Sequence, residues 1–153
     1  AMVEVPAAVY QVKEIARRVD FLSVGTNDLT QYLLAVDRNN ERVADLYHHL
    51  HPSVLIALMN IFKQASSSGC HVSICGEMAG DPLSAVLLVG LGYDTLSMSA
   101  GSLLRVKSML LNITKTEARV LARKALKMDS AENVVNYLES ALGRPQIAKL
   151  LKS

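Results

Sequence analysis

Two acids, Glu4 and Asp28, each stand at the end of an apolar run of the kind that makes a buried strand, MVEV and DFLSVGTND. A carboxylate at such a place needs a partner, because an unpaired buried charge is costly. Hard divalent cations such as Mg²⁺ take one or two carboxylates and complete their shell with water and substrate oxygens, so the two acids could converge on a metal. Glu4 could equally be neutralised by a nearby Lys or Arg. Asn27 and Asp28 also fit plain helix capping, which taken alone is the simpler account of Thr-Asn-Asp. Arg38, in AVDRNN, is either a solvated surface arginine, the commoner fate, or a planar fork gripping a phosphate or carboxylate. Cys75 precedes Gly76-Glu77 at the end of a third apolar run, where a thiol can act as an acid or a nucleophile. Cys70 is read as a small core residue. His48, His49 and His51 match no zinc-ligand spacing and read as a solvated helix end. GEMAG and GLG lack the glycine spacing of a nucleotide-binding loop.

The elements that must position these groups alternate. MVEV reads as a strand broken by Pro6, and AAVYQVKEIARRV as a helix burying Val9, Val12, Ile15, Ala16 and Val19. The strand DFLSVG ends in Gly-Thr-Asn-Asp, expected as loop and N-cap residues before the short helix LTQYLLAV. A loop with a helical turn spans VDRNNERVADLYHHLHP. Pro52 and Ser53 open a helix that stops at Ser-Ser-Ser-Gly, where Gly69 suits a left-handed cap. The strand CHVSIC leads into the turn GEMAGDP, and Asp81-Pro82 start the helix SAVLLVGLG. DTLSMS is a further strand, SLLRVKSMLLNI a helix, and two amphipathic helices with Thr and Ser caps follow before a frayed end.

About four βα units plus a helical tail imply a parallel sheet with covered strands. Glu4, Asn27/Asp28, Cys75/Glu77 and Ser97/Ser99 fall at several strand ends. Barrel enzymes collect their groups that way, whereas an open doubly wound sheet concentrates them at one switch point. A (βα)8 barrel is therefore favoured. A whole barrel needs ~250 residues, so about half of one is expected, over residues 1–113, with a helical tail over 114–153.

With 153 residues the chain suffices for one domain with a real core. Half its residues are apolar and the mean hydropathy is +0.23, so much of it should be buried. Charges, Gly or Pro interrupt every apolar stretch before the ~20 residues of a membrane span. The start, AMVEVPAAV, has an acid and no basic leader, unlike a secretory signal. A net charge of +2 is too mild to imply nucleic acid, and 5% aromatics without Trp offer no stacking surface for bases. Cys70 and Cys75, five apart in one strand, would lie on opposite faces and about 16 Å apart, too far for a disulfide. A reducing, cytoplasmic setting is expected.

In order, MVEVPAA, FLSVGTNDLTQYLLAVDRNN, LHPSVL, ICGEMAGDP and LSMSA resemble the phosphoenolpyruvate-utilising enzymes. Within that group they look most like the phosphoenolpyruvate-protein phosphotransferases. Pyruvate phosphate dikinase and phosphoenolpyruvate synthase share GTND and a CG motif but diverge around AVDRNN and after CGE. The resemblance runs over residues 2–113. It implies that Glu4 and Asp28 are Mg²⁺ ligands, that Asn27, Asp28 and Arg38 bind phosphoenolpyruvate, and that Cys75 is the proton donor. It also implies phosphoryl transfer to a histidine on another domain and on to a histidine-containing phosphocarrier protein, in a homodimeric enzyme. That histidine's domain and the barrel's earlier strands are not among these motifs, so the chain is expected to be part of a longer enzyme and inactive alone. A non-catalytic dimerisation module and a free-standing half-barrel with another ligand are the competing readings.

Overall fold

The computed structural model describes residues 1–143. The frayed end and the last part of the 114–153 tail lie outside the described residues. Four strands form one sheet in the order β1-β2-β3-β4: β1 Met2–Val3, β2 Phe21–Gly25, β3 His71–Cys75 and β4 Leu96–Ser97. Every neighbouring pair is parallel. Strand order equals chain order, with no reversal. That arrangement is a stretch of barrel wall; a doubly wound sheet would turn back on itself.

Side chains alternate across a strand, and here the two faces differ. Leu22, Val24, Val72 and Ile74 are buried in the core, whereas Phe21, Ser23, His71, Ser73 and Cys75 on the other face are exposed or half-buried. The buried face packs on helices that follow the strands, as βα units require.

The helix expected over AAVYQVKEIARRV is two short pieces, α1 Pro6–Val9 and α2 Val12–Ala16, although Val9, Val12 and Ala16 are buried as read. Helix α3 spans Thr26–Leu34 and α4 Pro52–Ser67. His51 caps α4, its Nδ1 accepting from the Ser53 N–H at 3.2 Å, and Gly69 beyond its end takes φ 68°. The turn expected at GEMAG is a single helical turn, α5 Glu77–Gly80. Asp81 then caps α6, Pro82–Leu91, accepting from the Ser84 N–H at 2.8 Å. The remaining helices are α7 Ala100–Leu111, α8 Lys115–Ala125 and α9 Ala131–Leu142. Thr114 and Glu117 form a reciprocal capping box on α8, and Ser130 caps α9. Cys70 is buried at the core's edge, and both cysteines are free.

Helices α6 and α8 meet at a glycine. A Cβ on Gly90 would strike the Ala118 carbonyl oxygen and come within 2.8 Å of the Ala122 Cβ. Replacing a helical glycine by alanine ordinarily stabilises by about 1 kcal/mol. Here overpacking against backbone, costing about 1–3 kcal/mol, should win. Gly90→Ala is expected to lower the urea midpoint. Gly101→Ala in α7, where the added methyl meets nothing within 4 Å, is expected to leave it unchanged or raise it.

Burial raises the pKa of the Asp81 carboxyl, but hydrogen bonds from His49 and from the Ser84 hydroxyl and backbone N–H outweigh burial and hold it below the ordinary value. A carboxylate with a depressed folded pKa stabilises above its unfolded pKa and loses that contribution as pH falls through the folded one. Asp81→Ala should therefore cost about 1 kcal/mol at neutral pH. The gap between variant and wild type should close below about pH 4 in pH-dependent denaturation.

Candidate active site at the strand mouths

The parallel register brings the chemistry to one end of the sheet. Val3 pairs with Val24, Gly25 with Cys75, and Cys75 with Ser97. Glu4, the residue after Val3, therefore stands level with Gly25. A Cβ at Gly25 would be tight there, 3.1 Å from both the Cβ and the Oε2 of Glu4. The Glu4 side chain lies against Gly25.

The two following loops lock onto each other. The Thr26 hydroxyl donates to the Cys75 carbonyl at 2.8 Å, and the Glu77 N–H donates to Asn27 Oδ1 at 3.1 Å. Gly76 makes this approach possible, with φ 108° and the Asn27 Oδ1 only 2.9 Å from where its Cβ would be. Capping by Asn27 or Asp28 is corrected here. Helix α3 begins at Thr26 with Gly25 in the cap position and no side-chain cap, so both residues lie within the first turn. The Asn27 amide oxygen is taken by the Glu77 N–H, which leaves its NH2 group as a donor. Asp28 gains from the helix N-terminus, whose partial positive charge favours an acid.

Asp28 and Glu4 are both half-buried, and among the described residues neither carboxylate makes an ion pair or a hydrogen bond. The Lys or Arg partner considered for Glu4 is absent. Uncompensated, half-buried oxygen donors on adjacent mouths suit a cation that keeps much of its water. Among the described residues no cluster of three or more His, Cys, Asp or Glu offers an all-protein cage.

Two hollows open beside these mouths. The larger, about 670 Å³, is lined by Asn27, Cys75, Glu77 and Asp81, and by Ser97 and Ser99 beyond them. The smaller, about 220 Å³, holds Arg38, Tyr47 and Met78. Asn27, His49 and Glu77 line both. The structure thus joins Cys75 to Asn27 and Asn27 to Arg38. Glu4 and Asp28 stand at neighbouring mouths but line neither hollow, because the hollows open towards β3 and β4 whereas Glu4 leans on Gly25.

The Cys75 thiol donates to the Val24 carbonyl at 3.3 Å and accepts from the Ser23 hydroxyl at 3.4 Å. A thiol so placed has a proton to give, and a hydroxyl beside it to steady the thiolate left behind.

Arg38 is exposed, as an isolated reading of AVDRNN expects, yet it lines the smaller hollow. Helix α3 ends at Ala35 in the left-handed region, φ 53°, and buried Val36 turns the chain back. Arg38 and Tyr47 line the same smaller hollow, and the Tyr47 hydroxyl donates to the Asn27 carbonyl at 3.2 Å. Burial raises the Tyr47 phenol pKa, and Arg38 pulls it back only in part.

Tyr47, His49, Glu77, Asp81 and Arg105 were not assigned to the site from sequence, although all line one hollow or the other. The histidines had drawn notice as a solvated helix end. Instead His49 is half-buried, its Nε2 3.8 Å from Asp81 Oδ2, and burial together with His49 and His51 holds the His48 pKa down. No periodicity marks residues 37–51, which have little regular structure apart from a 3₁₀ turn at Ala44–Leu46.

The family of the PEP-utilising enzyme, PEP-binding domain, matches residues 1–115. A Salmonella typhimurium protein named phosphoenolpyruvate-dependent phosphotransferase system is 46% identical over 151 residues, 99% of this chain and 20% of that protein. Phosphoenolpyruvate-protein phosphotransferases of Haemophilus influenzae and Borreliella burgdorferi are 44% and 43% identical, over 92% and 93% of the chain. The chain spans only a fifth to a quarter of the length of these relatives. With its parallel barrel-wall sheet, its row of polar strand ends and a match across three quarters of its length, the chain belongs to the phosphoenolpyruvate-binding domain family of the PEP-utilising enzymes.

Proposed function

We propose that this chain is the phosphoenolpyruvate-binding portion of a phosphoenolpyruvate-protein phosphotransferase. The observation that carries the reading is the shared position of Asn27, which joins the hollow holding Cys75 to the hollow holding Arg38. Arg38 and Asn27 grip the phosphoryl oxygens, and Asp28 contributes the charge balance around them. Glu4 and Asp28 would hold Mg²⁺, which when bound neutralises negative charge on substrate oxygens.

The phosphoryl group passes from the enol oxygen to a ring nitrogen of a histidine outside the site residues assigned here. The P–O bond breaks as the P–N bond forms, leaving an enolate. Cys75 then gives its Sγ proton to the terminal carbon to make pyruvate. The Ser23 hydroxyl, already donating to the sulfur, stabilises the thiolate. Arg38 disperses the charge of a loose phosphoryl-transfer transition state.

In this reading the histidine hands its phosphoryl group to a histidine-containing phosphocarrier protein. Residues 1–113 form the substrate-binding part and 114–153 a helical tail against it. A cytoplasmic homodimer is the proposed setting; among the described residues no helix is long and apolar enough to cross a membrane. A second reading, a non-catalytic dimerisation module, draws on the sheet's two outer strands, β1 and β4, whose edges can recruit a partner. A strictly monomeric mass in light scattering at high concentration would remove that second reading.

Titration calorimetry tests the first. Oxalate, a stand-in for the enolate of pyruvate, should bind with heat that requires Mg²⁺. Asp28→Ala should reduce the signal to that of the metal-free titration, while Cys75→Ala should keep it. Equal, metal-independent heats for wild type and Asp28→Ala would overturn the assignment.

A further inference from the structure

Arg38 presents a difficulty that the family assignment does not address. Residues 37–42 are all exposed, and the side-chain acceptors within the run reach only two residues on: the Asn39 N–H donates to Asp37 Oδ1 at 2.9 Å and the Arg42 N–H to Asn40 Oδ1 at 3.1 Å. The Arg38 N–H reaches Gln31 Oε1 only at 3.4 Å. Nothing in that run by itself holds a long, rotamer-rich guanidinium over the hollow.

We propose that Tyr47 is the positioning residue for Arg38, tying its guanidinium to the backbone of Asn27 so that both phosphate-gripping groups move as one unit. The Tyr47 hydroxyl has one proton and two lone pairs. Its proton goes to the Asn27 carbonyl at 3.2 Å, which leaves lone pairs for an N–H of Arg38, a fellow lining residue of the smaller hollow. Tyr47 is itself seated: its ring lines the smaller hollow beside Met78, which is 1% exposed, and buried Leu50 anchors the chain three residues on. Burial keeps the phenol protonated well beyond neutral pH, so it stays a donor. The contact crosses from the irregular 35–51 segment to the first turn of α3, whose Asn27 side chain in turn holds Glu77. Hydrogen bonds thereby run from Tyr47 through Asn27 to the loop that follows Cys75, and the proposed tether adds Arg38 to that line.

This inference rests on the proposed phosphate role of Arg38 for its functional consequence, but not for its geometry, and the experiment separates the two. Phenylglyoxal labelling of Arg38, followed by mass spectrometry without ligand, reads the tether. Tyr47→Phe should speed labelling at Arg38 several-fold and leave Arg123 unchanged. The exposed Tyr10→Phe is the control and should change neither. In the same proteins, Mg²⁺-dependent oxalate binding should weaken by about 5–10-fold in Tyr47→Phe, within the range for losing one ordinary hydrogen bond. Unchanged Arg38 labelling overturns the inference. Faster labelling with no oxalate binding by any of the proteins supports the tether and instead removes the proposed function. If Tyr47→Phe does not fold, Arg38→Ala reads the same contact from the other side. Loss of the cation should move the Tyr47 phenol titration upward, and an unmoved titration overturns the inference.

Discussion

In-register parallel pairing is the constraint on which the rest of this molecule depends. Parallel strands need a crossover between them, so every strand runs the same way and every C-terminal end arrives at the same edge. With strand order equal to chain order, Val3, Gly25, Cys75 and Ser97 come to one rim, through residues scattered over almost a hundred positions of sequence. Shifting one strand by a residue would exchange its faces. Cys75 would then turn into the helix layer and Ile74 out of it.

The rim imposes its own demands. Adjacent loops leave it so close together that Gly76 is needed against Thr26 and Asn27, and a side chain at Gly25 would crowd Glu4. The hydrogen bonds from Thr26 to the Cys75 carbonyl and from the Glu77 N–H to Asn27 then weld the second loop to the third. Asn27 is thereby fixed on three sides: by its place in α3, by Glu77, and by Tyr47 on its carbonyl. A side chain so constrained is prepared to orient a substrate without first paying to become ordered. Tyr93 plays a comparable part below, its hydroxyl donating to the Leu58 carbonyl inside the core and tying the end of α6 to α4.

Much of this was readable in the residues. The alternation of apolar runs with helical periods foretold a parallel sheet, and polar residues at several strand ends foretold a barrel wall rather than a doubly wound sheet. Asp81, Thr114, Ser130 and Gly69 did as their types dictate. The misreadings have physical causes. Thr26, Asn27 and Asp28 have the composition of a cap, but Gly25 makes the turn from strand to helix first, so α3 starts early and Thr26 and Asn27 are freed for cross-strand contacts. Glu4 read as well as an ion-pair partner as a ligand, and only the absence of a basic neighbour among the described residues separates the two. The loop carrying Tyr47 and His49 has no period to read. Its order comes from contacts with Asn27 and Asp81, twenty positions away or more in each case, which local pattern does not encode.

The central claim is that the mouths of β1, β2 and β3 jointly seat a divalent cation and a small carboxylate. Amide NMR of the chain during titration with Mn²⁺ in the presence of oxalate tests it most directly, because paramagnetic broadening reports distance to the bound ion. The account predicts selective loss of the amide signals at Val3–Val5, Gly25–Leu29 and Cys75–Met78, while those of α8 and α9 stay sharp. Sharp signals at all three mouths, or broadening centred on the acids at Asp129 and Glu132, would contradict it.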